Sequence, residues 1–239
     1  MTNPTAAMLV IGDEILSGRT RDANMHFLAG ELTKHGIDLR EVRIVSDDHE
    51  MIVEAVTALA GAYDTVFTSG GIGPTHDDIT ADCIAAAFGR AIDVRDDARA
   101  LLQAHYDNSG LELNTARLRM ARIPDGAALI DNPVSVAPGF TVENVHVMAG
   151  VPSVFQAMVA SVLPTLTGGA PLLSQSLRIM RGEGDIAGPL RLLAEEFADL
   201  SIGSYPFQKD GVFGANVVIR GSDGARVDAA MTRLAEVFA

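Results

Sequence analysis

The sequence predicts an α/β protein with an open, largely parallel sheet and helices on both faces, followed by a small α+β domain. Two observations carry this prediction. Short apolar runs alternate with amphipathic helical segments over the first 168 residues, which is typical of strands joined by crossover helices. After a Gly/Pro-containing linker at 167–171, the pattern changes to β-α-β-β-α. We therefore predict domains at residues 1–168 and 169–239.

The elements of the large domain follow from hydrophobic period and punctuation. A short apolar run that stops at Gly12 indicates a buried strand over 7–11. The next helix with a clear end runs from Asp78 to Phe88, because Gly89 closes it. The remaining large-domain segments are helices over 22–36, 48–62, 96–109, 114–122 and 152–166, strands over 39–45, 64–68, 127–130 and 145–149, and a Pro/Gly-rich connection over 132–139.

The small domain shows the same two periods in a different order. We predict strands over 176–181, 201–207 and 214–220 and helices over 186–198 and 223–238. This unit is large enough to bury one face of its sheet. It is slightly acidic, so we predict a packing or dimerisation role for it rather than RNA binding.

The charge balance argues against nucleic acid and membrane partners. The chain has 18 Lys and Arg against 31 Asp and Glu, a formal net charge of −13. Such a field repels polyanions, and no Lys/Arg-rich run offsets it. No apolar run reaches the ~18 residues that span a bilayer, and no secretory signal is evident. The single cysteine, Cys83, lies in a small-apolar helical run and is predicted to be buried. We expect a cytoplasmic protein with a small-molecule ligand.

The segment T-S-G-G-I-G-P-T-H-D-D-I-T at 68–80 is the strongest candidate site. Gly70, Gly71 and Gly73 follow a buried strand, where glycines allow positive φ angles and bring backbone N–H groups close to an anion. Ligands bind at the carboxyl ends of strands in open parallel sheets. The spacing matches neither the nucleotide P-loop nor the dinucleotide fingerprint, so a plain glycine turn is the alternative. The rest of this predicted ligand-binding set is Thr68, Ser69, Pro74, Thr75 and Thr80.

Two adjacent acids, Asp77 and Asp78, follow the glycines and are the candidate catalytic residues. Helix capping explains one acid at a helix start. A second acid beside an anion-binding loop is costly unless a cation offsets it, which predicts a divalent metal such as Mg²⁺ or Co²⁺ that bridges to phosphate oxygens. Asp13 is the third candidate metal ligand. His76 is either a ligand contact or a solvent-exposed loop histidine.

Three further strand ends supply candidate ligand contacts. Gly12, Asp13, Glu14 and Ser17 follow the first strand, with a solvated turn as the alternative. Asn132, Gly139, Gly150 and Pro152 lie in Pro/Gly segments that shape the backbone rather than supply reactive groups. The three arginines at 117, 119 and 122 are predicted to lie on a solvated face.

These residues together resemble the molybdenum-cofactor-biosynthesis (MoaB/Mog) family, whose T-x-G-G-x-G loop is followed by Asp and x-Thr. Here the matching residues are Thr68, Gly70, Gly71, Gly73, Asp78 and Thr80. The runs at 12–18 and 73–80 are similar to the N-terminal part of the competence/damage-inducible CinA proteins and to the molybdopterin-binding half of FAD synthases. The small domain, with G-S-Y-P-F at 203–207, resembles the KH-like middle domain of CinA.

The resemblance implies a three-layer MoaB/Mog-like fold, a homo-oligomer and a nucleotide or pterin ligand, with molybdopterin as one candidate. It also implies metal-dependent hydrolysis of a pyrophosphate bond in ADP-ribose or FAD. Two departures leave other functions open: Ser135 stands where the family commonly has Gly, and Met148-Ala149 where it has Leu-Pro. The alternatives are molybdopterin binding in molybdenum cofactor metabolism and a non-catalytic nucleotide-binding module.

Overall fold

The computed structural model describes residues 3–209 and 211–238, except for the side chains of Lys209 and Val212. The predicted domain ends at Met1 and Ala239 therefore lie outside the described residues. The chain divides into two compact units, with the boundary between Gly169 and Ala170. Within the described residues, no helix combines the length and the apolar character needed to cross a membrane.

The first unit alternates strands and helices. Its strands are β1 (Thr5–Ile11), β2 (Asp38–Val45), β3 (Thr65–Ser69), β4 (Ile92–Val94), β5 (Arg122–Pro124), β6 (Ala128–Ile130), β7 (Gly139–Val142) and β8 (Val145–Met148). Its α-helices are α1 (Asp13–Leu16), α2 (Asn24–Lys34), α3 (His49–Ala62), α4 (Thr80–Ala87), α5 (Asp96–Ser109), α6 (Thr115–Leu118) and α7 (Pro152–Val162). Short 3-10 turns follow α6 and α7.

The main sheet has six strands in the order β2-β1-β3-β8-β7-β6. The pairs β2–β1, β1–β3 and β3–β8 are parallel, and the β8–β7 and β7–β6 pairs are antiparallel. The parallel strands β1, β2, β3 and β8 therefore end at one edge, where the predicted glycine loop and its neighbouring loops emerge. This arrangement confirms the predicted open, mostly parallel sheet.

Helices cover both faces of the sheet. One core packs α3, α4 and α5 against residues such as Leu9 and Val66, and the other packs α2 and α7 against residues such as Met8 and Phe67. Because Met8 and Leu9 are neighbours on β1, their side chains point to opposite faces and enter different cores. Both are fully buried. The unit is therefore the predicted three-layer sandwich.

Four departures from the sequence prediction in the first unit bear on the site or the sheet. The helix predicted from Asp78 begins at Thr80, because the preceding residues form a turn in which Asp78 N–H donates to the Thr75 carbonyl. The predicted loop after β1 contains the single-turn helix α1. The antiparallel strands β4, β5 and β7 were not predicted, since three or four residues are too few to show a period. The segment predicted as a helix over 114–122 ends in a 3-10 turn and enters β5 at Arg122.

The second unit has the predicted β-α-β-β-α order: β9 (Leu173–Ile179), α8 (Glu183–Glu196), β10 (Ser201–Lys209), β11 (Val212–Gly221) and α9 (Gly224–Val237). Its antiparallel sheet has the order β10-β11-β9. The buried residues Ile186 on α8, Val217 on β11 and Leu234 on α9 belong to one core, so both helices pack on the same face of the sheet.

Candidate functional site

The glycine loop forms the floor of the candidate site and is tied to its neighbours by backbone contacts. Gly70 N–H donates to the Met148 carbonyl at 3.1 Å. A Cβ on Gly70, whose φ is +112°, would stand 2.2 Å from the Ile11 carbonyl oxygen. The Cβ of any residue at position 150 would be 3.3 Å from the Gly70 Cα. The main chains at the ends of β1, β3 and β8 therefore lie in direct contact, and only glycine fits at position 70.

Thr80 holds the far side of the loop. Its hydroxyl donates to the Gly70 carbonyl and its N–H donates to the Gly71 carbonyl, each at 3.0 Å. Gly71 has a φ of +69°, and a Cβ there would lie 2.1 Å from the Thr80 hydroxyl oxygen. Thr80 is fully buried. Its hydroxyl thus supports the loop from behind rather than facing a ligand.

The two predicted catalytic acids lie on the turn that follows. Asp78 is half-buried, and its Oδ2 accepts hydrogen bonds from the Thr75 N–H at 2.8 Å and from the Thr75 hydroxyl at 2.5 Å. Hydrogen bonding with the Thr75 hydroxyl also lowers the pKa of Asp77. Asp77 is exposed, and the side chain of His76 is almost wholly in solvent. Thr75 thus fixes the carboxylate of Asp78, and His76 is an exposed loop residue.

A third acid, Asp47, joins the site although the sequence indicated only a helix start there. Its Oδ2 accepts the N–H of Asp13 at 3.0 Å and so fixes the start of α1. Burial is the main cause that raises the pKa of Asp47. The hydrogen bond from Asp13 opposes this rise, and the nearby Asp13, Glu14 and Asp77 carboxylates add to it. Acids that follow three different strands therefore lie close enough to affect one another, as expected where parallel strands end at the same edge of the sheet.

These residues surround an open pocket of about 540 Å³, within the size range of small-molecule sites. Eleven of the predicted site residues line it, nine ligand contacts and the two candidate catalytic acids: Gly12, Glu14, Gly70, Gly71, Gly73, Pro74, Asp77, Asp78, Asn132, Gly150 and Pro152. Asp47, Thr20, Ser135 and an apolar wall complete the lining, and this wall consists of Ile11, Ile72, Met120, Ala137, Ala149, Val151 and Val154.

The other predicted site residues lie outside the lining. Thr68 is fully buried on β3, and Ser69 Oγ accepts a hydrogen bond from Asn24 at 2.7 Å. Gly139 lies within the sheet, where a Cβ would meet the Val147 carbonyl oxygen at 2.4 Å. Asp13 and Ser17 are exposed on and after α1. Thr75 and Thr80 act on the loop as described above.

Two asparagines shape the pocket from behind. Asn24, which is 3% exposed, donates to Ser69 Oγ and to the Gly150 carbonyl at 2.7 and 2.8 Å, so it links two pocket strands. Asn132 donates to the Ser135 hydroxyl and the Ala137 carbonyl, at 2.7 and 2.8 Å. The Ser135 hydroxyl is thus hydrogen-bonded within its own loop. Nothing in the sequence pattern distinguished Asn24 from other polar residues at a helix start.

Arg119 and Arg122 correct the prediction of a solvated arginine face. Both are half-buried and line a small cavity on the far side of the glycine loop. Arg122 forms a bidentate ion pair with Asp82 at 2.6 and 2.7 Å. Arg119 donates to the Asp78 carbonyl at 3.2 Å, and its Nε is buried without a partner among the described residues. The guanidinium groups of Arg119 and Arg122 thus lie beside the turn that contains Asp78.

The described residues contain no group of three or more His, Cys, Asp or Glu side chains placed to hold a metal ion. A cation at Asp77 and Asp78 would therefore need oxygen atoms from a ligand to complete its coordination. This is the usual mode of Mg²⁺, which binds through one or two carboxylates together with substrate phosphates. The acids present fit a metal that arrives with a phosphorylated ligand.

Comparison with known proteins identifies the two units. Residues 7–168 match the family model described as a probable molybdopterin binding domain, and residues 171–239 match the model of the FAD synthase middle domain. A probable FAD synthase from Caenorhabditis elegans is 35% identical over an alignment that covers 98% of this chain and 50% of that protein. The chain thus spans about half the length of this relative.

Two further matches are archaeal. A protein from Archaeoglobus fulgidus is 31% identical over 97% of this chain and 96% of its own length. The crystal structure of the protein CinA, of unknown function, from Thermoplasma acidophilum is 34% identical, with a TM-score of 0.63 over 69% of this chain and 99% of that chain. The chain belongs to the molybdopterin-binding (MoaB/Mog) domain family in its CinA-like form, followed by a domain of the FAD synthase middle type.

Proposed function

We propose that the pocket binds a phosphorylated nucleotide or pterin, and that the chain is a metal-dependent pyrophosphatase acting on ADP-ribose or FAD. The observation that carries the proposal is a main-chain glycine floor beside Asp77 and Asp78 in one open pocket. Backbone N–H groups suit phosphate oxygens, whereas adjacent carboxylates repel them. A divalent cation held by these acids would supply the positive charge that offsets the repulsion.

Mg²⁺ or Co²⁺ would be held by Asp78 and Asp77, with Asp13 as the third candidate. Asp77 and Asp78 line the pocket, and Asp13 lies on α1 beside the lining residue Glu14. When bound, the cation would supply Lewis-acid polarisation of a phosphoryl group. Arg119 and the Thr75 hydrogen bonds hold the backbone and the carboxylate of Asp78 in place before any ligand arrives.

The residues of the chain supply the remaining chemistry. The glycine loop would hold one phosphate of the ligand, supported from behind by Thr80. Asp47 lines the same pocket, where its carboxylate would accept a proton from water. Attack of that water on phosphorus would break the P–O–P bond. FAD would yield AMP and FMN, and ADP-ribose would yield AMP and ribose 5-phosphate.

Molybdopterin binding is the second candidate function. The description of the family model favours it, and the apolar side of the pocket, with Ile72, Met120 and Val154, suits a flat ring. A third possibility is a module that binds nucleotide without turnover, for which the family departures at Ser135 and Ala149 are the evidence. We also propose a cytoplasmic, homo-oligomeric protein.

A metal-by-substrate screen separates these functions. Purified protein is incubated with ADP-ribose or FAD and with Mg²⁺ or Co²⁺, and AMP is quantified by chromatography. We expect AMP release by the wild type, its loss in Asp78→Asn, and no change in Asp93→Asn, which alters an exposed acid on β4. Full activity in Asp78→Asn contradicts the proposed mechanism. Pterin or nucleotide binding in a direct titration, with no AMP released under either metal, favours the two binding functions.

A further inference from the structure

The two edges of the main sheet differ in length. β6 ends the sheet on one side with three residues, Ala128–Ile130. β2 ends it on the other side with eight residues, Asp38–Val45, which include neither Pro nor Gly. Its register against β1 shifts by one residue at Arg40, and the stretch from Glu41 to Val45 pairs regularly. Among the described residues, no strand pairs with the outer side of β2. A long edge with free N–H and C=O groups is a template for another strand.

One face of β2 also carries exposed apolar side chains. Val42 and Ile44 are 37% and 43% exposed and project from the same face of the strand. Leu16 on α1 and Met25 on α2 are also exposed, and both helices contact β2. These two side chains add exposed apolar area on the helices that contact the strand. Such a surface on an edge strand favours a protein partner over bulk water.

The charges of β2 indicate which partner this is. Along the strand, Asp38, Arg40, Glu41 and Arg43 alternate in sign, and within one chain they pair as Asp38–Arg40 and Glu41–Arg43, each at 2.6 Å. If a second β2 lies antiparallel with Val42 opposite Val42, each Glu41 faces Arg43 of the second copy. The charge pattern is therefore complementary to itself, and like charges are not brought opposite one another.

We propose that β2 pairs antiparallel with β2 of a second copy of this chain around a two-fold axis at Val42. Two copies then share one continuous sheet through the regular part of β2, with Glu41 of one opposite Arg43 of the other. Such an interface is isologous, because the same patch serves both subunits. Since α1 contacts β2 and Glu14 on α1 lines the ligand pocket, the interface would abut the wall of each site without forming its floor.

Cysteine cross-linking tests the register. Directly opposite residues have Cβ atoms about 4.5–5.5 Å apart, so two cysteines at position 42 would be joined by a disulfide when diamide takes their two electrons. Cys83 is buried and does not compete. We expect Val42→Cys to form a covalent dimer at least tenfold faster than Ile44→Cys, which lies two residues from the axis, and than Leu192→Cys, an exposed control on α8. Equal rates for all three variants overturn the proposal.

Sedimentation velocity tests the interface without cross-linking. We expect the wild type to dimerise, Val42→Arg to weaken association more than tenfold, and the conservative Val42→Thr to retain it. Glu41→Arg and Arg43→Glu should each weaken association, and the double exchange should restore it. Circular dichroism confirms that each variant is folded. A monomeric wild type, or a dimer that Val42→Arg leaves intact, overturns the proposal independently of the pyrophosphatase assay.

Discussion

The buried histidine at the centre of the main sheet should make stability fall with acid. His146 on β8 is 7% exposed, and its Nδ1 lies 2.9 Å from the Thr141 hydroxyl. Its ring packs against Phe67, with centroids 5.2 Å apart. Burial lowers the pKa of His146 from 6.5 to about 4. The folded state therefore favours the neutral ring, so the stabilisation is complete above pH 6.5 and is lost as the pH falls from 6.5 towards 4.

The magnitude follows from linkage between proton binding and folding. A difference of one pKa unit corresponds to about 1.4 kcal/mol, so the full effect is about 3 kcal/mol, and about 2 kcal/mol is lost between about pH 7.5 and about pH 5. His146→Asn replaces the imidazole by an amide that can still bond Thr141. We expect the variant to lose about 2 kcal/mol less than the wild type over the same interval.

Urea unfolding followed by far-UV circular dichroism at the two pH values measures this difference. His26→Asn, which changes an exposed histidine on α2, serves as the matched control and should behave like the wild type. The NMR signal of the His146 ring gives an independent reading, with a titration midpoint near 4. A midpoint near 6.5, or an equal acid loss in His146→Asn and wild type, would refute the reasoning.

Three further predictions concern the site and the core. Gly71→Ala should destabilise the fold by more than about 1 kcal/mol and abolish ligand binding, because its φ is +69° and the new methyl would press on Thr80; Gly61→Ala, with open space around it, is the control, and similar melting temperatures for the two would contradict this. Asn24→Ala should cost about 1–3 kcal/mol in urea unfolding, since it leaves the groups it bonds without a partner; an unchanged midpoint would show that water replaces the amide. Burial raises the pKa of Cys83 to about 12, so a disulfide reagent should modify no thiol in native protein and one thiol per chain in denaturant; rapid native labelling would place Cys83 at the surface.

Local signals in the sequence were sufficient for most of the fold and for the floor of the site. The alternation of strands and helices, the glycines after β3 and the acids beside them all depend on neighbours in sequence. Asp47 and Arg119 were missed for a different reason. Asp47 reaches the pocket because β2 lies beside β1, and Arg119 contacts Asp78 because a 3-10 turn redirects the chain before β5. Strand order and the direction of a short turn are set by tertiary packing, which no short window of sequence records.

The corrected helix start changes the role of Thr80 in the same way. The sequence placed Thr80 as a ligand contact two residues inside a helix, whereas the structure begins α4 at Thr80 and turns its hydroxyl towards Gly70. Its burial follows from the close approach of Gly71, which leaves no room for a side chain between the loop and the helix. The residue type was informative here, but the direction of the Thr80 hydroxyl depends on how the loop packs against α4.

The main-chain floor of the pocket affects how the site can be mapped and how it can diverge. Because Gly70, Gly71 and Gly150 contribute peptide groups and empty space, a scan that truncates side chains to alanine has nothing to remove there. At these positions every substitution adds atoms, so tolerance should be narrow even though the residues carry no chemical group of their own. We therefore expect related proteins to differ in ligand through residues of the pocket walls, such as Met120, Ser135 and Val154, while the glycine floor stays the same.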